Sequence, residues 1–261
     1  MYRPFSRSLL LGVLCLAASL ARADDCPTPA ALAPLLQTDG IFLGELHGSV
    51  EVPALVDCLA RTLSAELAGR RRVTVALEVP PDALDDAHPF WRGQDGRASQ
   101  AMVALLRSLA AQQARQQIEL IGFVPPEDYP DQADYEVAMA RRLDAVPAGH
   151  FLLVLAGNFH ASRPPPGRPG MGWNLVPAGA HVKRRMAHVL AAYGQASTSW
   201  FCMGSRCGAH DLRPSSYAAD QAPGLHPLGR DGCDHVFVLP RLSASPPAQA
   251  APPGGNPVTS P

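Results

Sequence analysis

The chain has 261 residues, 47% of them hydrophobic, which suits one packed domain or at most two small ones. Its formal net charge of −1 gives no electrostatic reason to bind nucleic acid or an anionic membrane surface. Past the first residues, no stretch is long and apolar enough to span a bilayer, so no transmembrane segment is expected.

Residues 1–23 read as a secretory signal. Arg3 and Arg7 form its basic start, Ser8 to Leu20 is apolar, and Ala21-Arg22-Ala23 is a cleavage site before Asp24. Gly12-Val13-Leu14 is a poor lipobox for Cys15, so a lipid anchor is not expected. The protein is then periplasmic or secreted, where disulfides persist. Five cysteines remain: Cys26, Cys58, Cys202, Cys207 and Cys233. A Cys26–Cys58 bridge would tie the mature N-terminus to the first long helix, and two of the other three would form a second bridge. Cys202 and Cys207 have near-zinc spacing but no matching pair follows.

In chain order, a helical turn is expected around Ala30–Leu36, and a strand from Gly40 to Leu46. A helix from about Pro53 to Gly69 follows, with Leu55, Leu59, Leu63 and Leu67 on one stripe. Val73–Val79 is a strand stopped by Pro80-Pro81. Asp82 to Gly96 is a polar loop long enough to be a lid or a plain surface connection. Ser99–Gln116 is a helix with Met102, Leu105, Leu106 and Leu109 inward. Ile118–Phe123 is a strand, Asp131–Val146 a helix, and Phe151–Ala156 a strand. Arg163–Gly172 is an irregular loop. Ala178–Tyr193 carries Val182, Met186, Val189, Leu190 and Tyr193 at helical spacing, with Lys183, Arg184 and Arg185 as a solvated basic patch. Ser197–Met203 and His235–Leu239 are short late strands, expected at an antiparallel edge. From Ser243 to Pro261 a Pro/Ala-rich tail is expected to be disordered. Residues 24–242 thus make one domain, an α/β fold with a mostly parallel central sheet and helices on both faces.

Three strands end in polar residues. Ile41-Phe-Leu-Gly-Glu-Leu-His47 places Glu45 and His47 two apart, so in extended chain they share a face. Phe151-Leu-Leu-Val-Leu-Ala-Gly-Asn-Phe-His160 repeats the pattern with Asn158 and His160, and Val73-Thr-Val-Ala-Leu-Glu78 ends in a carboxylate. Carboxyl ends of parallel strands are where open α/β sheets bind ligands. Two imidazoles and two carboxylates permit two kinds of chemistry. Glu45, His47 and His160 could hold a divalent metal ion, with Glu78 as a further ligand or the base. Without metal, one histidine could act as base, one carboxylate could raise its basicity, and the second histidine could stabilise developing negative charge. There is no Gly-x-Ser-x-Gly elbow, no His-Glu-x-x-His and no phosphate-binding glycine loop.

Gly44-Glu45-Leu46-His47, the strand-end Glu78 and Gly157-Asn158-Phe159-His160 resemble the paired Gly-x-x-His signature of the ChaN/Tiki-like superfamily. That group includes the haem-binding uptake lipoprotein ChaN, the Tiki metalloproteases, TraB-type proteins and the erythromycin esterases. The resemblance implies a site of Glu45, His47, Glu78 and His160. It implies either a metal-dependent or metal-free hydrolase acting on a small-molecule or peptide substrate, or a haem- or iron-binding protein without turnover. Two positions depart from the pattern. Gly48 stands where an acidic residue often follows the first histidine, and Tyr135 stands where the Ala138-Met139-Ala140 helix usually carries arginine.

The expected reading is therefore an exported, metal-assisted hydrolase, with haem or iron binding as the alternative. Protein recovered from the exported fraction should begin at Asp24. N-terminal sequencing that still reads Met1 would remove both the export claim and the oxidising setting of the cysteines.

Overall fold

Four short apolar runs, three buried along their whole length and the fourth at all but two positions, build the centre of the sheet. These are β1 (Gly40–Glu45), β2 (Val73–Leu77), β4 (Phe151–Gly157) and β5 (Met186–Tyr193). The computed structural model describes residues 26–126, 128–163 and 175–249. The signal segment, the loop beyond Arg163 and residues 250–261 of the tail lie outside the described residues.

The remaining strands are β3 (Ile118–Gly122), β6 (Ser197–Met203), β7 (Arg206–Leu212), β8 (Gly224–Arg230) and β9 (Cys233–Leu239). Among the described residues, seven of the nine strands form one sheet in the order β3-β2-β4-β1-β5-β9-β8. All its neighbours are parallel except β8, which runs antiparallel to β9 at the edge. β6 and β7 form a separate antiparallel hairpin closed by the Cys202–Cys207 disulfide.

The helices are α1 (Pro29–Leu32), α2 (Glu51–Glu66), α3 (Gln100–Ala114), α4 (Gln132–Asp144), α5 (Asn158–Ala161) and α6 (Ala178–His181). Alternate side chains of each strand serve opposite layers. Ile41, Leu43, Val75, Leu77, Leu153 and Leu155 pack with Leu59, Leu63, Leu106 and Leu109 of α2 and α3. Phe42, Ala76, Leu152 and Val154 pack with Met139 and Leu143 of α4. A parallel sheet covered on both faces needs apolar residues at both phases, which is why these strands read as unbroken apolar runs. Side-chain caps start α3 and α4: Ser99 Oγ accepts from the Met102 N–H, and an Asp131 carboxylate oxygen accepts from the Asp134 N–H.

Several expectations are corrected. The helix expected over Ala178–Tyr193 is one helical turn, α6, followed by strand β5. Buried between β1 and β9, β5 has no polar face, so its apolar residues fit helical spacing as well as a strand. The expected basic patch is not simply solvated: Arg184 donates to the His150 and Val146 carbonyls, and Arg185 to that of Gln37. The polar loop 82–96 is no loose lid. Trp91 is fully buried in it, its indole N–H donating to the Ala83 and Asp85 carbonyls. Strands β7 and β8 were not expected, because both carry polar residues without clean alternation. The tail does not leave the domain at Ser243: residues 243–249 lie against the body, and Ser245 is buried.

Cys26 and Cys58 are bonded and Cys233 is a buried free thiol. The first bridge closes a 32-residue separation, which corresponds to about 3–4 kcal/mol through the unfolded chain. Paired replacement of Cys26 and Cys58 by alanine should lower the urea midpoint accordingly. An unchanged midpoint would show that the bridge does not constrain the chain.

Candidate functional site

Strand pairing delivers the site. β4 lies between β2 and β1, so whatever follows β4 stands between the ends of the other two. Glu45 is level with Gly157, and Leu77 with Leu155, so Glu45, Glu78 and the start of α5 share one edge. His160 sits on the single turn of α5 rather than on an extended strand end. Asn158 therefore does not share a face with it in the way the spacing of two predicts. Its Oδ1 lies over Gly44, 3.0 Å from where a Cβ there would stand.

The four expected residues come together. His47 Nδ1 is 3.0 Å from Glu45 Oε1, and its Nε2 is 3.6 Å from Glu78 Oε2. His160 Nε2 is 3.8 Å from the other oxygen of Glu78. Gly157 makes this approach possible. Its N–H donates to Glu78 Oε2 at 2.6 Å, and a Cβ there would stand 2.9 Å from His47 Nε2.

Two further residues were not found from sequence. Glu136, fully buried on α4, lies 2.9 Å from His160 Nδ1 and accepts from the Ala178 N–H and the Gln132 amide. Each imidazole thus has a buried carboxylate on Nδ1 and Glu78 near Nε2. Arg97, from the 3-10 turn Gly96–Ala98, places Nη1 3.9 Å from Glu78 Oε1 and is paired with Asp95. Glu136 was visible only as the neighbour of Tyr135 on the expected helix. Arg97 was visible only as one charged residue at the end of a polar loop.

The electrostatics follow from burial and charge together. Burial pushes Glu78 up, but His47, His160, Arg97 and the Gly157 N–H outweigh it and hold the carboxyl below its usual range. Burial pushes His47 down, while Glu78 and Glu45 more than restore it, leaving it above an ordinary imidazole. His160 is raised in the same way, against burial, by Glu136 and Glu78. Glu45 is raised, mainly by burial. Tyr135, whose ring meets His160 edge-on, is pushed up to about 12 by burial and the nearby carboxylates.

The expected metal set, Glu45 with His47 and His160, does not converge on one point. Glu45 occupies the Nδ1 edge of His47, while Nε2 faces the other way toward Glu78. Among the described residues, no group of three or more His, Cys, Asp or Glu is placed to hold a metal ion. One oxygen of Glu45, Oε2, is buried without a hydrogen-bond partner among the described residues. The arrangement is two carboxylate–imidazole pairs facing a shared carboxylate whose charged form its neighbours favour.

No protein-family profile matches the chain, and no curated protein matches it. Solved structures do share its architecture. An erythromycin esterase mutant in its open conformation superposes with a TM-score of 0.54 at 10% identity, covering 85% of this chain and 95% of that one. A protein from Bacillus cereus gives 0.53 at 12% identity, covering 84% and 93%. A succinoglycan biosynthesis protein gives 0.54 at 10%, covering 82% and 92%. The chain shares the fold of these proteins, the erythromycin esterase among them.

These shifts fix a pH dependence of stability. The lowered Glu78 contributes stability that is present above the ordinary value of 4.5 and lost as pH falls through its folded value. The raised imidazoles contribute stability that is full below 6.5 and lost as pH rises through their folded values. The advantage of the native chain over Glu78→Gln should therefore peak between these limits. Urea titrations from acid to alkaline pH check this; a pH-independent difference would contradict it.

Proposed function

We propose that the chain is an exported hydrolase in which His47 is the general base that activates water. The observation that carries this is the orientation of His47. Glu45 fixes its Nδ1 edge, and Nε2 is left facing Glu78 on the partly exposed side. A carboxylate on Nδ1 sets the tautomer and stabilises the imidazolium formed when Nε2 accepts a proton.

The step is hydrolysis of an ester or amide of a small molecule or peptide. Water adds to the carbonyl carbon, and its proton passes to His47 Nε2. Negative charge gathers on the carbonyl oxygen, where the Arg97 guanidinium and His160, whose protonated form Glu136 favours, offer positive charge. The tetrahedral adduct then expels its leaving group, which takes the proton back from His47. The likeness to an erythromycin esterase supports hydrolysis as the reaction class. The two disulfides and the signal-like segment support export.

A divalent metal ion held by His47, Glu78 and His160 is a second proposal, and it requires these side chains to move closer, since as placed they form no ligand group. Its support is the donor chemistry: two imidazoles, each with Nδ1 on a carboxylate, facing a third carboxylate.

With p-nitrophenyl acetate as probe, His47→Ala should cut kcat/KM by about a hundredfold or more. The base must be neutral to work and its pKa is raised, so the rate should climb with pH through a midpoint above 6.5. Glu45→Gln removes one of the carboxylates that raise His47 and should move that limb to lower pH. Unchanged turnover in His47→Ala would end the reading. Elemental analysis, EDTA treatment and haem absorbance on the same preparation separate the three cofactor states.

A further inference from the structure

Residues 243–249 lie across the two loops that carry His47 and Arg97. On the His47 side, the Ser245 N–H donates to the Gly48 carbonyl at 2.8 Å, and the Val50 N–H to that of Ser243 at 2.9 Å. The Ser243 N–H reaches Glu51 at the start of α2. On the Arg97 side, Ser245 Oγ accepts from the Ala101 N–H at 2.9 Å, and the Pro246 carbonyl from Gln100 at 2.8 Å. The Ala248 N–H donates to the Ala98 carbonyl at 2.8 Å. One residue, Ser245, thus bonds both sides: its backbone holds the residue after His47, and its hydroxyl holds the first turn of α3. It is 1% exposed, so water does not compete for either bond.

The loops also touch directly. A Cβ at Gly96 would stand 2.6 Å from the Gly48 nitrogen and from the Trp200 carbonyl. Gly48 has φ +85°, and a Cβ there would meet that carbonyl at 1.9 Å. The β6 strand backs this junction, with Trp200 N–H bonded to the Gly48 carbonyl and Ser199 Oγ to that of His47. The direct contact sets how near the loops can come, and the bonds from residues 243–249 oppose their separation.

We infer that Ser245 is a positioning residue that sets the distance between the His47 and Arg97 sides of the site. This rests on the hydrolase reading only for its kinetic consequence; the geometric claim stands apart from it. Removing the hydroxyl takes away one of the bonds to the α3 side, while the Gln100–Pro246 and Ala248–Ala98 bonds remain, and so loosens the segment that carries the Arg97 facing Glu78. A shift of a fraction of an ångström in such a group costs rate rather than binding.

The test uses the full chain. With p-nitrophenyl acetate, Ser245→Ala should lower kcat by about tenfold with KM little changed, and Ser245→Thr, which keeps the hydroxyl, should recover most of it. Thr28→Ala, which removes the cap of the remote α1, serves as a control that alters stability without touching the site. A readout independent of turnover is the imidazole nitrogen resonances. Those of His47 and His160 should move in Ser245→Ala, while that of His188, buried elsewhere, should not. Wild-type kcat and unshifted His47 and His160 resonances in Ser245→Ala would overturn the inference, as would a loss matched by Thr28→Ala. If the native chain lacks turnover altogether, the resonances still decide the positioning claim while the hydrolase reading falls.

Discussion

A buried carboxylate that stays ionised is the constraint on which the site depends. Glu78 is 5% exposed, and a lone charge at that depth would take up a proton instead. It is kept charged by an N–H from Gly157, by two imidazoles and by Arg97, each brought from a different segment. The positive groups are in turn held by carboxylates of their own: Glu45 on His47, Glu136 on His160, Asp95 on Arg97. The result is a closed network in which each charge has a fixed partner. Loss of one member would leave another buried and uncompensated.

That network explains features of the fold that have no meaning for the core. A side chain at Gly157 would push against His47, which passes beside it, and one at Gly44 would crowd Asn158, which lies over it. The loop between β2 and α3 is anchored by a buried tryptophan instead of being left open, because its far end supplies Arg97. The β6–β7 hairpin stands off the main sheet yet bonds to the backbone at His47, Gly48 and Gln94. Elements outside the sheet therefore brace the strand-end loops, and the sheet itself sets only their starting points.

Amino-acid pattern alone determined much of this. Apolar runs ending in Glu45, Glu78 and the Gly157-Asn158-Phe159-His160 stretch marked three buried strands with polar ends, and their parallel pairing brings those ends together. The leucine stripe of α2 and the inward face of α3 were likewise local signals, since helical periodicity is written into neighbouring residues. Local pattern failed at β5, where burial on both faces erased the alternation that separates strand from helix. It failed also at Ser243–Gln249, whose Pro- and Ala-rich composition reads as tail although its backbone bonds to α2, α3 and β6.

Only the tertiary structure decided which carboxylate serves which imidazole. Glu136 and Arg97 are ordinary charged residues on a helix and in a loop, and nothing in their neighbours marks them. Their role comes from contacts 24 and 19 positions away, to His160 and Glu78. The orientation of His47, with Glu45 behind it and Glu78 ahead, likewise depends on the β2–β4–β1 order, which no single strand encodes. Sequence specifies the side chains and the local conformations that can carry a site. Burial and through-space charge, which are properties of the packed chain, assign those side chains their partners and their protons.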